Sequence, residues 1–226
     1  MRRPTTRLQL ETLFILDDRG RLRSTREPQP SSGPAFYFVR GAIDNAWAIR
    51  ADVDQGIAEE IDGLASQEPS SADWNRPLLH AAEYVNLLGG RIRSGPAFEF
   101  PEQLRPIDDA IAVHDEALLD VHFSGWVHGE IDAGRSPVMA VYEKDHPVSI
   151  CFCARRSSTA AEAGIETAVA YRGRGYAPRV ATAWAAAVRA AGLIPIYSAN
   201  WENHASLAVA RKLGLVPFAA DFRIEP

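Results

Sequence analysis

Six consecutive residues in the last third of the chain, Arg172-Gly173-Arg174-Gly175-Tyr176-Ala177, alternate guanidinium groups with glycines before turning tyrosyl and small. A turn of this composition exposes successive backbone N–H groups. At the start of a helix those groups carry the positive end of the helix dipole, so the segment is suited to a phosphate-like anion. A side chain at Gly173 or Gly175 would keep the backbone from closing around such an anion. The plainer reading of the same residues is a strand-to-helix turn with no ligand.

The loop needs a strand before it and a helix behind it. Gly164 to Ala170 reads as the strand. Ala177, Val180, Ala181, Trp184, Ala187, Val188 and Ala191 recur at helical spacing, Pro178 is tolerated in a first turn, and Gly192 supplies a stop. Trp184 falls on the apolar face and is assigned to the core. Leu193 to Ala199 is an apolar run of strand length, and Asn200 to Asn203 is a polar break that can cap a last helix ending at Leu213-Gly214.

Upstream the patterns are weaker. Residues 8 to 50 alternate short apolar segments, Leu13 to Leu16 and Phe36 to Val39, with turn signals, which predicts short strands. Ile57, Ile61 and Leu64 predict a helix from Val53 to the break at Glu68 to Ser71, and a second helix is expected within Pro77 to Leu88. Gly89 to Pro96 reads as a basic loop, and Phe98 and Phe100 as a strand ending at Pro101. A boundary is placed there, giving an N-terminal α+β region at 1–103 and a second domain at 104–226. Ile107 to Val127 has helical spacing, through Ile111, Leu118 or Leu119, and Phe123. Pro137 to Tyr142 and Val148 to Ala154 are strands around a turn at Glu143 to Pro147.

Composition narrows the function. With 46% hydrophobic and 23% charged residues over 226 positions, the chain can bury one large core, or a domain with a smaller companion. A net charge of −5 argues against a general nucleic-acid or membrane-surface binder, and the cluster of Arg172, Arg174 and Arg179 runs locally against that sign. No apolar run approaches the roughly 20 residues of a membrane span, and Arg2 and Arg3 precede polar residues, so a cytoplasmic protein is expected. Cys151 and Cys153 lie two apart on a strand, on one face, and are assigned to packing rather than to a disulfide. His122 and His128 have neither helical spacing nor cysteine neighbours, and no metal is expected.

The order strand, Arg-x-x-Gly-x-Ala loop, helix, strand, Asn-x-x-Ser helix resembles the GCN5-related N-acetyltransferase (GNAT) superfamily. Arg172 to Ala177 fits that family's pyrophosphate loop, and Asn203 to Leu215 is similar to its second, C-terminal motif. The resemblance covers about residues 105 to 226 and does not reach the first hundred. It implies an α/β (α+β) fold, a mixed and mostly antiparallel sheet with helices on both faces, plus a smaller N-terminal α+β region. That region is open to three roles: capping an acceptor site, forming a homodimer, or standing as an eroded copy of the fold.

The resemblance also implies the chemistry. Acetyl-CoA would be the co-substrate, and an acetyl group would pass to a primary amine of a small molecule or peptide by direct attack on the thioester; no nucleic-acid partner is expected. Backbone N–H groups from Gly173 to Ala177, with Arg172, Arg174 and Tyr176, would receive the pyrophosphate, and Ile165, Glu166 and Thr167 would align the pantetheine arm. Glu166 is the first choice for the base and Glu162 the second; their parity puts both on one face of the strand. Many family members carry a tyrosine seven residues beyond the asparagine, where this chain has Ala210. The Asn-x-x-Ser variant points instead to Ser206 near the CoA sulfur, with Asn203 beside it, although the same pair makes a good helix cap without chemistry. His122, Trp126 and His128 fall where the acceptor pocket is usually built, and Trp201 follows the last strand. The other class of reading is a non-catalytic acyl-CoA-binding or regulatory module.

Overall fold

The chain opens on a helix where short strands were expected. In the structure, a computed structural model that describes residues 3–104 and 109–225, α1 (Thr6–Leu13) begins at Thr5, whose side chain accepts from the Leu8 N–H at 3.2 Å. Gln9, Leu10 and Leu13 recur along its buried face. Two strands follow as a small ribbon, β1 (Phe14–Leu16) and β2 (Leu22–Thr25), and then the hairpin of β3 (Phe36–Gly41) and β4 (Asn45–Ile49). The expected helices are present as α2 (Gln55–Ala65), capped by Asp54, and α3 (Ala81–Leu88).

The segment read as a basic loop is the first half of a strand, β5 (Arg91–Glu99). Its glycine misled the pattern for a physical reason. A Cβ on Gly95 would lie 1.7 Å from the Ala199 carbonyl oxygen, so this glycine marks a close backbone approach rather than a turn.

Helical spacing over 107–127 was misleading as well. Ile107 lies outside the described residues; the rest forms β6 (Ala110–Ala112) and a single 3-10 turn, Glu116–Leu119. Tertiary bonds hold this region: the Glu116 carboxylate accepts from the Ile131 N–H at 2.8 Å, from the Trp126 indole at 3.2 Å and from the Gly129 N–H. Leu119 and Phe123 then pack with Val138, Ile150 and Phe152.

From there the expected order holds. β7 (Met139–Glu143) and β8 (His146–Arg156) form the hairpin, and β9 (Ala160–Thr167) leads through the loop into α4 (Tyr176–Ala190). β10 (Ile194–Ser198) and α5 (His204–Leu213) follow, and the chain closes on β11 (Val216–Glu225), a strand the sequence reading did not include.

Nine strands make one sheet in the order β4-β3-β11-β5-β10-β9-β8-β7-β6, antiparallel throughout except for β9 against β10. It is the expected mixed, mostly antiparallel α/β architecture. Strands from both ends of the chain interleave, for β5 lies between β10 and β11. The position at 103/104 is therefore a connection between two strands of one sheet.

Alternate residues divide the core between the two faces. Phe98 and Tyr197 join α4 around Trp184, which is wholly buried, whereas Ala97, Ile196 and Tyr37 pack toward α1. Burying a large aromatic of this kind stabilises by roughly 1.5–3 kcal/mol. Cys151 and Cys153 sit unpaired in the Trp184 cluster, where burial pushes both thiols up.

One irregularity of the sheet matters for function. β9 and β10 pair only from Ile194↔Ala160 to Ile196↔Glu162, and beyond that rung neither strand pairs with the other. The sheet parts there, with Ile165 to Thr167 on one side and Ser198 on the other.

Candidate active site

A cavity of about 680 Å³ fills this opening, walled by the end of β9, the glycine loop, the start of α4 and one side of α5. Ten expected site residues line it: Ile165, Glu166, Thr167, Arg172, Gly173, Gly175, Tyr176, Ala177, Asn203 and Ser206. Arg174 does not. Its guanidinium donates to the Ala170 carbonyl at 3.1 Å and lies 5.0 Å from the Tyr171 ring centre, so it braces the loop.

The glycines serve the loop by backbone conformation. Gly173 has φ 78° and Gly175 φ 84°, the left-handed region, and a Cβ on either would meet nothing within 4 Å. Gly175 is also the N-cap of α4, with no side-chain cap, so the first-turn N–H groups point outward without a side-chain acceptor. Arg172 Nε donates to the Thr167 carbonyl at 3.1 Å, which ties the loop to the end of β9.

On the far wall, Asn203 Oδ1 accepts from the Ser206 N–H at 3.0 Å, so the capping bond is made. Ser206 lies beside Tyr197, a cavity residue that sequence reading passed over inside an apolar run. The Tyr197 ring stacks on Phe98 with centroids 6.3 Å apart; burial pushes its phenol up, and the Ser206 hydroxyl partly offsets that.

A second cavity, also about 680 Å³, lies on the α1 side and shares Asn203 and Ser206 with the first. Its outer wall comes from the first fifty residues, including Phe14, Thr25, Glu27, Tyr37 and Arg50. Its inner wall comes from Arg155, Ser198, Asn200, Arg223 and Glu225. Glu162 lies just behind. It is 3% exposed, accepts from Ser198 Oγ at 2.5 Å and from Arg155 at 2.9 Å, and Arg155 reaches Glu27 at 2.5 Å. A parallel arrangement stands beside it: Arg223 binds buried Asp221 at 3.1 Å, Glu225 at 2.8 Å, and the Asn200 side chain. Burial pushes the Asp221 carboxyl up to about 6, against the pull of Arg223.

Glu162 and Glu166 thus share a face, as their parity required, yet they serve different spaces. Glu166 is exposed and lines the first cavity, whereas Glu162 is buried behind the second. His122 lines the first cavity, edge-on to Tyr171 at 5.5 Å. Trp126, His128 and Trp201 line neither. Trp126 packs on Phe152 at 5.4 Å, and His128 pairs in the open with Asp120, which raises its pKa.

The charged residues of the second cavity were missed because they are contributed from distant parts of the chain. One signal was readable: β11 alternates Ala220, Phe222 and Ile224 with Asp221, Arg223 and Glu225, a strand with one charged face. Among the described residues no cluster of His, Cys, Asp and Glu could hold a metal, and no helix is long and apolar enough to cross a membrane.

Residues 134–218 match the model of the GNAT acetyltransferase family. The comparison with curated proteins returned no match. Among solved structures, a GNAT-family acetyltransferase from Colwellia psychrerythraea aligns over 80% of this chain and 76% of its own, with 14% identity and a TM-score of 0.50. A GCN5-related N-acetyltransferase-like protein from Streptococcus suis aligns over 93% and 87%, with 15% identity and a TM-score of 0.47. For a GNAT-family protein from Novosphingobium aromaticivorans the figures are 60% and 66%, 19% and 0.47, so the chain spans just under two thirds of that relative. At 14% identity the likeness to the Colwellia psychrerythraea protein is one of fold. The family match spans the glycine loop and the Asn203 helix together, so over residues 134–218 the C-terminal part of this chain is similar to the GNAT acetyltransferases.

Proposed function

We propose that the protein is an acetyl-CoA-dependent N-acetyltransferase in which the first cavity takes acetyl-CoA and the second takes a primary amine. The observation that carries this reading is the pair of cavities meeting at Asn203 and Ser206. The first cavity suits an extended diphosphate. Outward N–H groups at α4 and the side chains of Arg172 and Lys212 provide for the anion, and the β9 edge from Ile165 to Thr167, free of β10, offers backbone groups to an amide-containing arm.

Bound acetyl-CoA would supply a thioester whose carbonyl carbon accepts the amine nitrogen; one C–N bond forms, one C–S bond breaks, and an ammonium acceptor yields amide, thiol and a proton. The chain's part is to hold the two ends together and to move protons. Ser198 borders the second cavity and donates to Glu162, so a proton leaving the acceptor has a path through the Ser198 hydroxyl to that carboxylate. Glu166 offers a route from the first cavity. Ser206, at the junction, would give its hydroxyl proton to the departing sulfur and regain one from solvent. The first fifty residues, on this reading, build the acceptor site.

Amine-dependent release of CoA, followed with a thiol reagent, tests the proposal; buried Cys151 and Cys153 keep the background low. We expect release that requires the amine, and a product heavier by one acetyl group. Tight acetyl-CoA binding with no amine-dependent release from any amine would overturn it in favour of a non-catalytic acyl-CoA-binding module.

A further inference from the structure

The charges around the second cavity fall into two repeating sets. In each, one guanidinium is held between a buried carboxylate and a carboxylate on the cavity wall: Glu162, Arg155 and Glu27 in one, Asp221, Arg223 and Glu225 in the other. Two carboxylates against one guanidinium leave each set one negative charge in excess. Arg50, the remaining arginine of the wall, is paired with Asp52 at 2.6 Å. Every guanidinium lining the cavity therefore already has a carboxylate partner, and none is left over for an anionic ligand.

Tyr37 lines the same cavity, is 1% exposed, and has Gln9 and Asp221 as polar neighbours of its hydroxyl. Most of the remaining wall is polar, with Thr25, Ser31, Ser32, Ser198 and Asn200 among its residues.

We infer that the acceptor cavity takes an amine with a second positive charge, a diamine or polyamine, with one ammonium near Ser198 and the Glu27 set and the other near the Glu225 set. This rests on the acetyl-transfer reading for the fate of the amine, but not for its binding. The two sets lie side by side, so a flexible chain between two ammonium groups satisfies both. A monoamine leaves one set uncompensated, and an amino acid would bring its carboxylate against Glu27 or Glu225.

The test is a set of acceptors matched in length and differing only at the far end: cadaverine, pentylamine, aminopentanol and aminovalerate. Each is titrated calorimetrically into the protein, and each is assayed for acetylation. We expect cadaverine to bind, and to be acetylated, about tenfold better than the amino alcohol and better still than aminovalerate, as a charge-assisted contact requires. Glu225→Gln and Glu27→Gln should each shrink the ratio of cadaverine to pentylamine binding. Equal or tighter binding of pentylamine or aminovalerate, or a ratio unchanged in both variants, would overturn the inference whether or not transfer occurs. Selective cadaverine binding with no acetylation of any acceptor would uphold it and defeat the transfer reading instead.

Discussion

The two cavities are equal in volume and opposite in construction. The first is made from backbone: left-handed glycines, the open N-terminus of α4 and an unpaired strand edge, all within one stretch of chain from Ile165 to Lys212. The second is made from side-chain charges delivered by β9, β11, the β8 end and the first fifty residues. A site for an invariant ligand portion can be built locally from peptide groups. A site that must select among acceptors is assembled from variable side chains at long range.

That contrast is sharpened first at Asp221, where the expected effect on stability is largest. Its carboxyl, ordinarily near 3.8, is pushed up to about 6 by burial. Below pH 3.8 both folded and unfolded chains carry the proton. Between pH 3.8 and 6 the unfolded chain ionises while the folded one retains its proton, so this group's contribution to stability falls as pH rises through that window. Asp221→Asn removes the titration. Urea unfolding should show the stability of the parent relative to this variant dropping by about 2.4 kcal/mol between pH 4 and 7. A difference that does not change with pH would show that the second cavity's inner wall is less buried electrostatically than its geometry indicates.

Next comes the pair of glutamates that sequence parity could not separate. Glu162→Gln should lower kcat by about a hundredfold with little change in acetyl-CoA affinity, whereas Glu166→Gln should lower it by no more than about threefold. The reverse order would move proton removal from the second cavity to the first. The smallest effect is expected at the shared residue Asn203. Asn203→Ala should lower stability by about 1 kcal/mol through the lost cap, and Asn203→Ser, which still caps, should restore it. If stability returns with serine while turnover does not, Asn203 acts on the ligands as well as on α5.

The same division explains how far the sequence could be read. The glycine loop, α4, β10, and α5 from its Asn203 cap to Gly214 were legible because each rests on neighbours in sequence: a cap, a periodic face, a left-handed stop. The misreadings fall where distant groups decide. Arg91 to Gly95 is a strand because β11 and the Ala199 backbone lie against it. Residues 110 to 127 lose their helical pattern to the bonds that Glu116 makes with Gly129 and Ile131. α1 was hidden because Leu8, Leu10, Leu13 and Phe14 read equally well as alternating strand and as a short amphipathic helix. Arg155 and Glu27, 128 positions apart, gave no joint signal at all.

The most direct measurement is a calorimetric titration of acetyl-CoA into the parent beside Gly175→Trp, with Glu225→Gln as the counterpart from the second cavity. Tryptophan at φ 84° both strains the loop and fills the space in front of α4. We expect parent and Glu225→Gln to bind acetyl-CoA alike, and Gly175→Trp to lose at least about a hundredfold in affinity, near 2.7 kcal/mol. Undiminished binding in Gly175→Trp, or no binding in the parent, would contradict the assignment of the first cavity to acetyl-CoA.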